Sequence, residues 1–225
     1  MKRFYFALTN DCTHSCAYCS CFSRPGKKTY MDFDVYTQYV DSTDENIEVQ
    51  FEGGEPLIHP RFYDMVDYAI NTNRCDKVII TTNSSEIPYT KEKKWMKFII
   101  NNPNTQFILK PSINYDLWTH QDNLFPKMSN ILEISKNISN LTVLFNVRLD
   151  KTENDESIKK ILGALKLTEH SNIFFYQRYG FAKDVEKFDL PFIIPNPVDF
   201  YLISPDGMNF GTDLIARSEH MKDLK

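Results

Sequence analysis

Residues 3–23 read R-F-Y-F-A-L-T-N-D-C-T-H-S-C-A-Y-C-S-C-F-S. The first seven have the apolar density of a buried strand, and a loop of thiols follows at once. Cys12, Cys16 and Cys19 are spaced C-x3-C-x2-C within eight residues. Thiolates are the usual ligands of iron–sulfur clusters, so three this close can converge on one cube. Three local cysteines leave one iron of a cubane without a protein sulfur, and an open position is where a substrate binds a metal. A structural zinc site normally has a second ligand pair further on. Beyond this loop the only cysteine is Cys75, so the spacing favours a cluster over zinc.

A second motif stands at 52–56, Glu52-Gly53-Gly54-Glu55-Pro56, after a strand-like apolar run at 47–51. With Tyr18 just before the third cysteine, the first motif resembles the cluster loop of the radical S-adenosylmethionine enzymes. The second resembles the G-G-E-P segment with which that family holds the methionine amino group. The resemblance covers about residues 3–180 and is strongest in the first 60. It implies a [4Fe–4S] cluster on Cys12, Cys16 and Cys19, and S-adenosyl-L-methionine as second cofactor. It also implies reductive cleavage to a 5′-deoxyadenosyl radical that takes hydrogen from a substrate. The C-x3-C-x2-C-x-C loop most resembles the peptide-modifying and cofactor-maturing branch, so a ribosomal peptide or protein side chain leads as substrate. Small-molecule chemistry of the 7-carboxy-7-deazaguanine synthase kind and glycyl-radical-enzyme activation stand as alternatives. A degenerate cluster- or nucleotide-binding module is the non-enzyme alternative. The electron is expected from a donor such as flavodoxin or ferredoxin.

The remaining candidates fall at strand ends. Gly53 and Gly54 lack a Cβ and let backbone come close; Pro56 stiffens the turn. Glu55 either pairs with the amino group or braces the loop. Ser112 and Asn114 end a fourth strand and resemble the polar pair that the family directs at the nucleoside, although an acid often stands where Asn114 is. Asn83 is placed to act likewise. Arg148 ends a fifth strand with a guanidinium fork that suits a carboxylate. Tyr18 offers its backbone to adenine or packs the loop. Cys21 is open to three readings: a fourth ligand, a buried thiol, or a catalytic hydrogen donor. The five histidines do not cluster.

Around these motifs the pattern alternates. Strands are predicted at 3–9, 47–51, 77–82, 105–113, 141–149 and 173–177. Helices are predicted from Asp32 or Asp34 to 41, from Pro60, from Thr90 through Trp95, Phe98 and Ile99, and at 126–138 and 156–167, with 114–125 a loop. Such βαβ units give a parallel sheet. Six are fewer than the eight that close a barrel, so the fold class is α/β, a partial (β/α)6 barrel with ligands at the strands' carboxyl ends. The barrel is assigned to 1–180, with Arg178-Tyr179-Gly180 at its end. The extension, 181–225, opens with Pro191, Pro195 and Pro197. It then reads as a β-hairpin at 199–213, turned by Pro205-Asp206-Gly207. Tyr201, Ile203 and Phe210 would form its buried face, with Arg217 or Glu219 near the cavity and the last ten residues an exposed tail in the alternative reading.

The 225 residues carry a net charge of -4, with 42% hydrophobic and 14% aromatic residues. That composition supplies a core and gives no basic surface for nucleic acid. No signal peptide or membrane span is expected. Five cysteines, four of them within ten residues, argue for metal binding in a reducing cytoplasm over disulfides.

Overall fold

The computed structural model describes residues 1–87, 94–148, 153–164, 166, 171–175 and 200–225. Thr90, Arg178-Tyr179-Gly180, Pro191, Pro195 and Pro197 lie outside them. The chain runs β1 (Lys2–Thr9), α1 (Phe33–Asp41), β2 (Ile47–Gly53), a 3₁₀ turn (Pro56–Ile58), α2 (Phe62–Asn71), β3 (Cys75–Thr82), α3 (Lys94–Asn101) and β4 (Gln106–Ile113). It continues through α4 (Tyr115–His120), α5 (Leu124–Ser135), β5 (Leu141–Val143), β6 (Phe145–Arg148), α6 (Glu153–Ala164), β7 (Ser171–Phe175), β8 (Phe200–Ile203) and α7 (Leu214–Asp223).

The strands form one open sheet in the order β7-β6-β4-β3-β2-β1-β8, with β5 paired to β4 beside that path. Every pairing is parallel. Among the described residues the sheet is not closed, as a partial barrel of this kind requires.

Strict alternation divides the strands between two environments. Phe4, Phe6 and Leu8 of β1, Ile47, Val49 and Phe51 of β2, and Val78 and Ile80 of β3 belong to the main apolar core. So do Phe107, Leu109 and Ile113 of β4, and Phe145 and Val147 of β6. α1 and α2 meet this face through Tyr36, Val40, Phe62, Met65 and Ala69. The Phe6 and Tyr36 rings pack edge to face at 4.8 Å, and Phe51 and Phe62 do the same at 5.5 Å. Such pairs contribute about 0.5–1.5 kcal/mol beyond their buried area. The intervening residues of the same strands, Tyr5, Gln50, Glu52, Thr81, Lys110, Ser112, Asn146 and Arg148, line a cavity on the opposite face.

Three sequence expectations change. The predicted fifth strand is two short ones, separated at Leu144, whose N–H donates to Leu109 O at 3.0 Å. The predicted loop at 114–125 contains α4, too short to show helical periodicity. Asn114 caps it, its side chain accepting from Leu117 N at 2.8 Å. The predicted hairpin has only one named strand, β8, which joins the sheet parallel to β1 from Arg3↔Phe200 to Phe6↔Ile203. A short return follows through the antiparallel bridge Ile203↔Asn209. The chain then enters α7 rather than an exposed tail, because Asp213 accepts from Ile215 N and Ala216 N. Arg217, Ser218 and Met221 of α7 are buried. Among the described residues no helix is long and apolar enough to cross a membrane.

Candidate active site

The thiol loop is built by two residues at its entrance. Asn10 holds the two ends of the loop together: its Oδ1 accepts from Thr29 N at 3.1 Å, and its Nδ2 donates to Lys225 O at 3.1 Å. Asp11 Oδ1 accepts from Cys12 N at 2.9 Å and Gly26 N at 3.0 Å, while Oδ2 accepts from the Tyr30 hydroxyl at 2.6 Å. Further along, Cys19 N donates to Cys16 O at 3.2 Å, and Arg24 closes the turn from outside by donating to Cys16 O at 3.1 Å.

The glycine loop docks on this entrance. Gly54 N donates to Thr9 O at 2.7 Å and Glu55 N to Asp11 O at 2.9 Å. A Cβ on Gly53, whose φ is +121°, would stand 2.6 Å from Thr9 O. A Cβ on Gly54 would run into the Asp11 carbonyl. The glycines therefore admit the backbone of the thiol loop itself, and both also line the cavity.

Glu55 braces the junction. It is fully buried and accepts from Leu57 N at 3.2 Å, the Thr82 hydroxyl at 2.7 Å and Asn83 N at 2.8 Å. Burial pushes its carboxyl up to about 7, against the three donors that hold it down. Pro56, also buried, starts the 3₁₀ turn behind it.

These elements enclose a cavity of about 380 Å³ at the carboxyl ends of the strands. Cys12, Cys16, Cys19, Cys21, Tyr18, Asn83, Ser112, Asn114 and Arg148 all line it. Burial pushes the Cys12 and Cys16 thiols up to about 12. A metal that displaces those protons would reverse that preference. Two sulfurs already receive N–H donors: Cys12 Sγ from Asn83 Nδ2 at 3.3 Å, and Cys19 Sγ from Ser23 N at 3.4 Å. Such bonds are among the means by which a protein stabilises cluster thiolates. Among the described residues no three His, Cys, Asp or Glu side chains are grouped as ligands of one metal ion. The three thiols share one cavity, and their donor type and N–H support fit a polynuclear sulfur cluster.

The Arg148 guanidinium lies 3.4 Å from the centroid of the Tyr18 ring, tying β6 to the thiol loop. Asn114 spends its Oδ1 on capping α4. Cys21 packs with Ala7 and Met221, against Cys19 and Leu224. Burial pushes its thiol up to about 12. Of the two α7 candidates, Arg217 lines the cavity and pairs with Glu52 at 2.5 Å; Glu219 does not line it.

A family model described as the Radical SAM superfamily matches residues 6–165. The chain belongs to the radical SAM superfamily. The enzyme class goes with that membership. Among curated relatives, an uncharacterized protein of Methanocaldococcus jannaschii is 33% identical over 93 residues, 39% of this chain and 32% of that protein. The tungsten-containing aldehyde ferredoxin oxidoreductase cofactor-modifying protein of Pyrococcus furiosus is 34% identical over 70 residues, 29% of this chain and 20% of that protein. The chain thus spans about a third or less of the length of these relatives. Among solved structures, native anSMEcpe with bound AdoMet superposes with a TM-score of 0.55 at 19% identity, covering 78% of this chain and 51% of that one. The same protein with AdoMet and Cp18Cys peptide gives 0.53 at 19% identity, covering 78% and 50%. At that identity the likeness is one of fold.

In this radical SAM chain the residues absent from the sequence reading are those of the lumen, Tyr5, Gln50, Thr81, Lys110 and Asn146, and Glu52 entered it only as the first residue of the glycine motif. Their signal was present. Parallel strands covered on both faces read as continuous apolar runs. Here E-x-Q-x-E at 48–52, K-x-S at 110–112 and N-x-R at 146–148 put polar groups on every second position.

Proposed function

We propose that this protein binds a [4Fe–4S] cluster through Cys12, Cys16 and Cys19 and uses S-adenosylmethionine to initiate radical chemistry on a peptide or protein side chain. The observation that carries this is the convergence of the three thiols, Gly53, Gly54, Asn83, Ser112 and Arg148 on one cavity. When bound, the cluster supplies the electron that cleaves the sulfonium to a 5′-deoxyadenosyl radical. The chain's own residues position and shield. Asn83 supports the Cys12 sulfur, the Glu55 brace fixes the glycine loop against Asp11, and Arg148 offers a guanidinium to a carboxylate at the mouth of the sheet. Tyr18 and Leu117 contribute apolar wall to the cavity. An electron donor such as flavodoxin or ferredoxin in the cytoplasm completes the reading.

The peptide part is supported by the resemblance of the C-x3-C-x2-C-x-C loop to the peptide-modifying branch. It is supported also by anSMEcpe, whose structure holds AdoMet together with a peptide. The test is anaerobic reconstitution with iron and sulfide, followed by dithionite and S-adenosylmethionine. The expected result is about four irons per chain and formation of 5′-deoxyadenosine, both lost in Cys16→Ala. Stoichiometric zinc in protein purified without oxygen, or no 5′-deoxyadenosine from cluster-loaded protein, would overturn the reading.

A further inference from the structure

We propose that Asn83 is a positioning residue of the cluster and not a nucleoside ligand: its side-chain N–H, aimed at the Cys12 sulfur, raises the reduction potential of a cluster held there. This rests on the cluster reading of Cys12, Cys16 and Cys19. Every polar atom of Asn83 has a partner. Its main-chain N–H donates to Glu55 Oε2 at 2.8 Å, and its carbonyl accepts from Gln121 Nε2 at 3.0 Å. The side-chain Oδ1 accepts from Ser85 N at 2.9 Å. That bond fixes which end of the amide is oxygen, because a main-chain N–H can only donate. Nδ2 is therefore the end that faces Cys12 Sγ at 3.3 Å and Thr13 Oγ1 at 3.0 Å. An amide nitrogen has two hydrogens, and both are spent. Asn83 keeps no donor for a ribose or a carboxylate.

The surroundings hold this amide in place. Asn83 follows β3 at a turn where Ser84 has a φ of +72°, a conformation that a non-glycine residue keeps only where its surroundings impose it. Lys127 of α5 pins the turn, its Nζ donating to Ser84 O at 2.8 Å. Gln121 ends α4, and the nitrogen that holds Asn83 O also lies 3.2 Å from His14 Nε2 in the thiol loop. The Thr13 and Ser85 hydroxyls meet at 2.7 Å. Strand end, two helices and thiol loop thus converge on one side chain. Asn83 and Cys12 are both buried, where an electrostatic bond counts for more than in water. Reduction puts more negative charge on cluster sulfurs, so an N–H···S bond is stronger in the reduced state and eases uptake of the electron. Ser23 N makes the corresponding bond to Cys19 Sγ from the main chain; Asn83 makes it from a side chain that a substitution can change.

The test is a redox titration of the reconstituted protein, followed by electron paramagnetic resonance in the absence of S-adenosylmethionine. Asn83→Ser keeps a side-chain oxygen for Ser85 N but is too short to reach the sulfur. Asn83→Asp keeps that bond and turns an oxygen toward the sulfur. Both variants should bind as much iron as the wild type. The potential should fall in Asn83→Ser by about 59 mV, a drop of about ten-fold in the equilibrium constant for one-electron reduction, and further in Asn83→Asp. Calorimetry with S-adenosylhomocysteine should give the wild-type affinity in Asn83→Ser. If neither variant holds a cluster, wild-type protein labelled with ¹⁵N in its asparagine side chains decides: the reduced cluster should show a through-bond ¹⁵N coupling. An unchanged potential, a loss of affinity for S-adenosylhomocysteine at unchanged potential, or a labelled wild type without that coupling would each overturn the proposal. A wild type that binds no cluster overturns the cluster reading and this inference with it. A wild-type cluster that cleaves S-adenosylmethionine but whose potential ignores Asn83 overturns this inference alone.

Discussion

At Gly54 the chain has no room for a single extra carbon. Its Cβ would occupy the place of the Asp11 carbonyl, and backbone cannot yield as a side-chain tip does. Gly54→Ala is expected to cost at least the roughly 1–3 kcal/mol of a forced overpacking, read as a lowered urea midpoint. Gly163, in α6, has nothing within 4 Å of its Cβ position, and Gly163→Ala should raise stability by about 0.5–1 kcal/mol. Similar midpoints for the two variants would refute this account of the glycine loop. One residue further on, Glu55 gives a pH dependence. Its carboxyl titrates near 4.5 in the unfolded chain and at about 7 in the folded one. Between those values the folded state keeps a proton that the unfolded state has released. The contribution of Glu55 to stability is therefore fully present below 4.5 and declines as pH rises through about 7. Denaturation midpoints across that range should fall with pH in the wild type and less steeply in Glu55→Gln. That variant also turns an amide toward donors and should lose about 1–3 kcal/mol. Parallel profiles would clear Glu55 of the effect. The sequence left Glu55 between two roles, because a carboxylate after two glycines looks the same whether it faces a ligand or three backbone and hydroxyl donors.

Among the elements, legibility followed periodicity. The strands at 47–51, 77–82 and 105–113 were readable because β2, β3 and β4 carry an apolar residue at every second position. The same alternation put Ser112 and Arg148 at strand ends, and the structure places both on the cavity. What did not show was anything short or capped by a single residue. α4 has six residues, fewer than two full turns, and its cap Asn114 reads equally as a polar strand end. α7 has little amphipathic pattern, since it buries Arg217 and Ser218 beside Met221. Its start depends on Asp213, which accepts from Ile215 N and Ala216 N at 3.1 and 2.9 Å. Asp213→Ala should cost about 1 kcal/mol. Because Ser218 Oγ donates to Ser20 O at 2.5 Å and Lys27 Nζ to Leu224 O at 3.0 Å, the loss should spread. Amide exchange should quicken in α7 and in the thiol loop while β3 and β4 stay protected. Faster exchange confined to α7 would show that the helix does not support the loop.

For the molecule as a whole, the question is what β8 and α7 do for a sheet that is otherwise complete from β1 to β7. β8 covers the β1 edge through four register pairs, α7 supplies the buried Arg217 to a partly buried Glu52, and Met221 closes over Cys21. The three contributions separate by experiment. Arg217→Met keeps the strand and the helix but takes from the partly buried Glu52 its ion-pair partner, leaving among the described residues the Gln50 hydrogen bond and the more distant Lys110 charge; breaking a fully buried pair from one side costs about 3–5 kcal/mol, which is the upper bound here. Adding Glu52→Gln removes the stranded charge and should restore much of that loss, so the two changes should be strongly non-additive. Removing residues 200–225 does more: it bares a hydrogen-bonding edge next to Phe4 and Phe6, which promotes edge-to-edge association. It also uncovers Cys21. In the full chain Cys21 should react with iodoacetamide slowly, since the thiol is buried and held up at about 12. In Arg217→Met, with Met221 still present, it should stay slow. In the truncated chain it should react quickly, and the protein should elute as a larger species. Slow alkylation in a monomeric truncated chain would mean that β1 to β7 shield the thiol side of the cavity without help, and that the C-terminal elements are not part of its wall.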